Sequence, residues 1–308
     1  MEYILGTRGS ALALAQTQWV QKRLQNHFPN HIFSIQTIVT KGDLILDRPL
    51  DQVGGKGIFV KEIEQQLLEG KIHIGVHSLK DMPTISPEGL YYTKFWKREN
   101  PFDVLILPEK FDCKPQKEQD ILSFIPYGGK VGTGSKRRIA QLKYHRPDLE
   151  VVPIRGNINT RLEKIESMQL DGIILAAAGL HRLQLQNRIA GYFSPDILTP
   201  APGQGTLALE ISENQPELLQ MLDSLADPQA DFCATVERCF LRQVDGGCHT
   251  PVGAYCHQKE NMMKLIVFLG SQTTTFAEWK KEVFPASQAE EKAKQFAKEL
   301  LQKREDFI

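Results

Sequence analysis

Two turns of nearly the same composition constrain this chain more than any other feature. Gly6-Thr7-Arg8-Gly9-Ser10 follows a short apolar segment at residues 3–5, and Gly132-Thr133-Gly134-Ser135 follows Val131. In each, small residues close an apolar run and a Ser stands where a helix would begin. Ser is a favoured N-cap because its oxygen accepts an otherwise unpaired backbone N–H. Ala13, Val20, Leu24 and Phe28 then recur at helical spacing, and Ile139 and Leu142 follow the second turn. Strand, turn and helix in direct succession open a βαβ unit, so two α/β units related by duplication are expected.

The flanking segments extend both units. Residues 35–39 read as a second strand. Phe59, Ile63 and Leu67 recur every four residues up to Gly70, and Ile72, Ile74 and Val76 alternate as a third strand. In the second unit, 151–154 reads as a strand, 158–168 as a helix and 172–177 as a strand. Residues 199–205, TPAPGQG, are too rich in Pro and Gly for an element interior and suit a crossover between domains. Beyond about 228, strands near 252–256 and 264–269 precede a helix at 287–303 with Ala289, Ala293, Phe296 and Leu300 on one face. That is a small α+β third domain. A length of 308 residues also favours two or three domains over one core.

Composition excludes several classes. Lys+Arg and Asp+Glu both total 37, so the formal net charge is zero and any anion site must come from local clustering. No apolar run approaches the roughly 18–20 residues of a membrane helix, and the start MEYILGTRGS does not read as a signal peptide. A cytoplasmic protein without membrane partners is expected, and nothing demands an assembly beyond a monomer. The five cysteines, at 113, 233, 239, 248 and 256, are odd in number and form no CxxC pair, which favours thiols over disulfides or structural zinc. No metal is expected.

Basic residues crowd the strand-to-helix turns: Arg8, Lys41, Lys56, Lys80, Arg137, Arg138, Arg155, Arg161 and Arg182. Ligands of open α/β sheets bind outside the carboxyl ends of strands, where helix N-termini add N–H donors. Two such domains facing each other would enclose a cationic cleft; surface arginines are the plainer alternative. No Walker A spacing is present, which disfavours nucleotide hydrolysis. Asp81, in His77-Ser78-Leu79-Lys80-Asp81, follows the third strand among these cations, and could move protons or serve as a turn residue. His73 and His77 could share a strand face, but lack a third ligand for a metal. Cys248 sits between Gly247 and His249 in a glycine-rich turn, an accessible attachment point or an incidental loop thiol.

Nine segments, GTRGSALALAQ, VTKGD, GGKGIFVKEIE, HSLKDMPT, VGTGSKRR, IRGNINTRL, ILAAAGLHRL, PAPGQG and DGGCHTPVG, occur in an order that resembles the porphobilinogen deaminase (hydroxymethylbilane synthase) family. The resemblance runs from Ile4 to the C-terminal helix. It implies two lobes like those of type 2 periplasmic binding proteins, with parallel-rich sheets, plus a small α+β C-terminal domain. The implied divisions are 1–98 with 203–224 (catalytic Asp), 99–202 (Arg-rich) and 225–308 (cofactor attachment). The implied reaction is head-to-tail condensation of four porphobilinogen molecules on a covalent dipyrromethane primer, releasing ammonia and, by hydrolysis, hydroxymethylbilane.

By the same resemblance, Cys248 carries the dipyrromethane through a thioether and Asp81 is catalytic. Lys80, Asp81, Ser135, Arg137, Arg138 and Gly156 bind the cofactor. Arg8, Ser10, Arg155, Arg161 and Arg182 bind the substrate. Lys56 and Phe59 belong to a mobile loop, and Gln204 lies at the hinge. The turn at Gly134 departs from the family's common Thr-Ser-Ser, which removes one hydroxyl contact, and the 108–130 linker is idiosyncratic. The rival reading is a non-catalytic, two-lobed anion-binding protein. Such a protein would be exported and would not need a third domain with an exposed Cys. A nucleic-acid binder is weaker still, because aromatic residues do not interleave with the basic ones.

Overall fold

The computed structural model describes residues 1–40, 42, 60–109, 121–244, 250–271 and 274–307. Its chain divides into two compact units, Met1–Glu99 with Thr206–Phe232, and Asn100–Gly205 with Cys233–Ile308.

The first unit opens with strand β1 (Glu2–Arg8), helix α1 (Ala11–His27) and β2 (Ile32–Ile38), then α2 (Lys61–Leu68), β3 (Ile74–Ser78) and β4 (Leu90–Tyr92). The second carries β5 (Asp103–Ile106), β6 (Lys130–Gly132), α3 (Lys136–His145), β7 (Glu150–Val152), α4 (Ile158–Ser167), β8 (Gly172–Ala176), α5 (Ala177–Arg182) and β9 (Gly191–Tyr192). The chain then supplies β10 (Leu207–Ser212) and α6 (Pro216–Asp223) to the first unit. Helix α7 (Pro228–Gln243) leads to β11 (Val252–Lys259), β12 (Met262–Gly270), β13 (Ala277–Pro285) and α8 (Ala289–Phe307).

The duplication is visible in the sheets. The first has strand order β2-β1-β3-β10-β4 and the second β7-β6-β8-β5-β9. In each, a central strand is flanked by two parallel neighbours, and an antiparallel return strand (β10 or β5) joins on the third. This is the parallel-rich α/β lobe expected from the sequence, present twice. The C-terminal antiparallel sheet, order β11-β12-β13, completes the α+β part.

Local chemistry explains where the elements start. Ser10 Oγ accepts the Ala13 N–H at 3.2 Å, Ser135 Oγ accepts from Arg138 N at 3.5 Å, and Asn157 Oδ1 accepts from Thr160 N at 3.0 Å. Leu5, Val20, Leu24, Phe33, Ile74 and Val76 form one core of the first sheet, with Leu207, Leu209 and Ile211 of β10 packed among them. Ile63, Leu67 and Ile72 cover its other face. In the second unit Val104, Ile106, Ile173 and Leu175 face one cluster, while Leu105, Val131 and Ile174 face another. A sheet covered on both faces needs this continuous apolar patterning.

Several boundaries move from the sequence reading. The third strand runs 74–78 rather than from Ile72, because Ile72 packs before the ladder begins; the second runs 32–38. Both return strands, β5 and β10, and the C-terminal strand β13 are additions. Asp103 and Glu210 interrupt the apolar character of β5 and β10, yet both are buried completely. Strand β13 is mostly solvated and shows little apolar signal.

Candidate functional site

The described catalytic, cofactor-binding and substrate-binding residues expected from the sequence fall at or beyond the carboxyl end of a strand with a parallel neighbour. In the first unit, Arg8 ends β1, Ser10 caps α1, and Lys80 and Asp81 follow β3, the neighbour of β1. In the second, Ser135, Arg137 and Arg138 follow β6, Arg155, Gly156 and Arg161 follow β7, and Arg182 closes the short helix after β8. Parallel strands deliver their following turns to one edge of the sheet, so residues far apart in the chain collect there. Cys248, Lys56 and Phe59 lie outside the described residues, as do Lys41, Cys113 and His249.

Asp81 stands on a pinned turn. Leu79 and Met82, on either side of Lys80 and Asp81, are buried, and Asp81 itself is exposed. Leu79 N donates to Thr206 O at 3.0 Å, and Met82 N donates to Leu79 O at 3.1 Å. One residue earlier, Ser78 Oγ accepts from Gln16 Nε2 at 3.0 Å. Two anchored apolar side chains thus hold a carboxylate out toward solvent on a short 3₁₀ turn.

Arg137 and Arg138 are placed differently from arms waving in solvent. They are 6% and 5% exposed, and both turn onto Asp103, the first residue of β5. Arg138 donates to Asp103 Oδ1 from Nε at 3.1 Å and Nη2 at 2.7 Å, and Arg137 Nη1 donates to Oδ2 at 2.7 Å. Gln204 Nε2 adds a fourth bond to Oδ1 at 3.0 Å. Arg137 Nη1 also reaches Thr199 O at 2.6 Å, and Arg138 Nη1 reaches Ile174 O at 2.9 Å. Burial alone would raise the Asp103 carboxyl, but Arg137 and Arg138 hold it far below the usual carboxylate range. Burial lowers the Arg137 guanidinium, with Asp103 opposing.

Two buried guanidinium groups therefore share one carboxylate. Among the described residues, nothing else acidic bonds to either arginine, so one positive charge is left over. A buried charge without a counter-ion is costly, and a carboxylate-bearing ligand is the chemical complement of such a site. Asp103 is the residue the sequence reading missed; its only local signal was an acid inside the apolar run 102–107.

Around the end of β7 the backbone does part of the work. Gly156 has φ +107°, and a Cβ there would stand 2.7 Å from Thr160 Cγ2, so only glycine fits. Its carbonyl accepts from Arg161 Nε at 2.8 Å. Arg182 Nη2 donates to Gly205 O at 2.7 Å, tying the residue after β8 to the 199–205 loop. Glu237, buried on α7, accepts from Gly203 N at 2.7 Å and from Cys256 N at 2.8 Å, so the same loop is stapled to β11. The described residues contain no cluster of three metal-ligating side chains, and no described helix is long and apolar enough to cross a membrane.

The structure thus holds two α/β lobes of like topology with basic residues at their strand ends and the Asp81 carboxylate at one edge. A family model described as "Porphobilinogen deaminase, dipyromethane cofactor binding domain" matches residues 3–220, and "Porphobilinogen deaminase, C-terminal domain" matches 232–302. The chain belongs to the porphobilinogen deaminase family, transferases that work with a dipyrromethane cofactor. A porphobilinogen deaminase of Lachnospira eligens is 46% identical over 274 residues, 88% of this chain and 90% of that one. One of Syntrophotalea carbinolica is 42% identical over 306 residues, 99% of this chain and 94% of its own. Among solved structures, the Bordetella pertussis BvgS periplasmic VFT2 domain is similar over 73% of this chain and 86% of its own, at 17% identity and TM-score 0.41.

Proposed function

We propose that this chain condenses four porphobilinogen molecules head to tail, releasing ammonia at each addition and hydroxymethylbilane at the end, with Asp81 doing the proton work. The convergence of dispersed cations on the carboxyl ends of parallel strands carries this reading. Each pyrrole ring of the product brings an acetate and a propionate. A chain with no net charge can hold such a polyanion only by local clustering.

The unbalanced charge beside Asp103 supports the fit of a dipyrromethane, whose ring carboxylates would complete it. Lys80, Asp81, Ser135, Arg137, Arg138 and Gly156 are assigned to hold that group, and Cys248 to carry it through a thioether. When bound, it supplies the nucleophilic pyrrole carbon on which the product grows. Arg8, Ser10, Arg155, Arg161 and Arg182 are assigned to the carboxylates of incoming rings, where guanidinium groups offer paired donors.

The exposed Asp81 carboxylate is suited to accept pyrrole N–H groups and to stabilise positive charge that develops as ammonia departs. Proton transfer during each addition is assigned to the same carboxylate. Lys80 beside it keeps a positive charge near the substrate's carboxylates. Lys56 and Phe59 are assigned to a loop over this edge. The chain's three-part division, 1–98 with 203–224, 99–202 and 225–308, belongs to the same reading, as do a cytoplasmic location and a monomeric state. Neither nucleic acid nor membrane is a partner in it.

Asp81→Asn tests the assignment. It should abolish turnover while the denatured protein keeps its covalently attached group by mass; near-normal turnover would remove Asp81 from its role.

A further inference from the structure

The two return strands each bury one carboxylate completely, Asp103 on β5 and Glu210 on β10. Asp103 is met by two guanidinium groups and an amide. Glu210 is not: neither of its oxygens has a hydrogen-bond partner among the described residues. Its ion-pair neighbour is His77 of β3, with Nε2 3.3 Å from Glu210 Oε2. That nitrogen is also buried and without a hydrogen bond. The contact has the distance of an ion pair and not the alignment of a hydrogen bond.

The sheet dictates this meeting. Glu210 lies opposite Gly75 in the antiparallel β3–β10 pair, so it shares a face with Gly75 and with His77 two residues on. Gly75 makes the room, since a Cβ there would stand 2.8 Å from His77 Nε2. Helix α2 covers the same face through Ile63 and Leu67, and brings Glu64 to the pair. Burial and then Glu210 push the Glu64 carboxyl up, while His77 and Lys61 pull it down. On the other flank, Tyr92 of β4 lies opposite Glu210. Glu64, Lys61 and Tyr92 are thus the ionisable groups that the neighbouring elements bring to the pair.

The same strand pair anchors the turn that presents Asp81. Beyond His77, Ser78 lies opposite Leu207, and Leu79 N then donates to Thr206 O at 3.0 Å. Whatever fixes β3 against β10 at His77 also fixes the base of the Lys80–Asp81 turn.

We propose that the buried His77–Glu210 contact holds the end of β3 in register, making both of them positioning residues for Asp81. The proposal rests on the reading of Asp81 given above.

Turnover and thermal unfolding of wild type, Glu210→Gln, His77→Gln and the double variant test this. Glu210→Gln should lower kcat about ten-fold with KM changed less than about two-fold. Adding His77→Gln, which pairs two amides, should restore part of that loss. Wild-type kcat in Glu210→Gln, or a double variant no faster than Glu210→Gln, would overturn the proposal. If Glu210→Gln fails to fold, His77→Gln decides alone, with the same fall in kcat expected and wild-type kcat overturning the proposal. Failure of the Asp81 reading stays distinguishable: Asp81→Asn would keep turnover, while the unfolding midpoint of Glu210→Gln would still report on the pair.

Discussion

Asp103 accepts two hydrogen bonds from Arg138 through a single oxygen, Nε at 3.1 Å and Nη2 at 2.7 Å, with both side chains buried. A carboxylate near the start of the second unit thereby fixes an arginine of the first turn of α3.

Asp103→Ala should destabilise the protein strongly, because it strands two buried guanidinium groups. Removing one partner of a buried pair costs about 3–5 kcal/mol. Urea unfolding checks it, and a loss under about 1 kcal/mol would mean the arginines find other partners. The sign of the pH effect follows from the lowered carboxyl. Its stabilisation is whole above the unfolded-state value near pH 4 and is lost as pH falls toward the folded-state value. Wild type should therefore lose stability on acidification over a range in which Asp103→Ala changes less.

Of the two guanidinium groups on Asp103, Arg137 makes fewer hydrogen bonds than Arg138, and Arg137→Leu should abolish the positive excess beside Asp103. The purified variant is expected to lack the covalent group by intact mass while remaining folded by circular dichroism. A fully loaded variant with wild-type kinetics would make Arg137 a purely structural residue.

Gly156→Ala forces a Cβ to 2.7 Å from Thr160 Cγ2 at φ +107°. Backbone strain of this kind costs of order 1–3 kcal/mol. The bond from Arg161 to the Gly156 carbonyl should suffer with it, so KM should rise more than kcat falls. Unchanged stability and KM would show that the turn relaxes freely.

Much of the fold was legible because its signals are local. Ser10 and Ser135 sit where caps must sit, and the strand-turn-helix succession repeats around them. Placement of Arg8, Asp81 and Arg155 at or just beyond strand ends followed from that succession. The return strands were not legible. Residues 103–106 and 207–212 are short, and each carries an acid whose burial makes sense only with a partner far along the chain. The inward turn of Arg137 and Arg138 was hidden for the same reason. A basic residue in the first turn of a helix normally faces solvent, and nothing nearby in sequence announces Asp103. The antiparallel strand β13 reads AEWKKEVFP and is largely solvated, so periodicity had little to report.

The central claim is that this chain works as a covalent cofactor holder at Cys248, and intact mass under denaturing conditions tests it most directly. Active wild-type protein is predicted to weigh more than its sequence by one dipyrromethane, and Cys248→Ala to weigh no more than the bare chain. Active wild-type protein at the bare-chain mass would contradict the account.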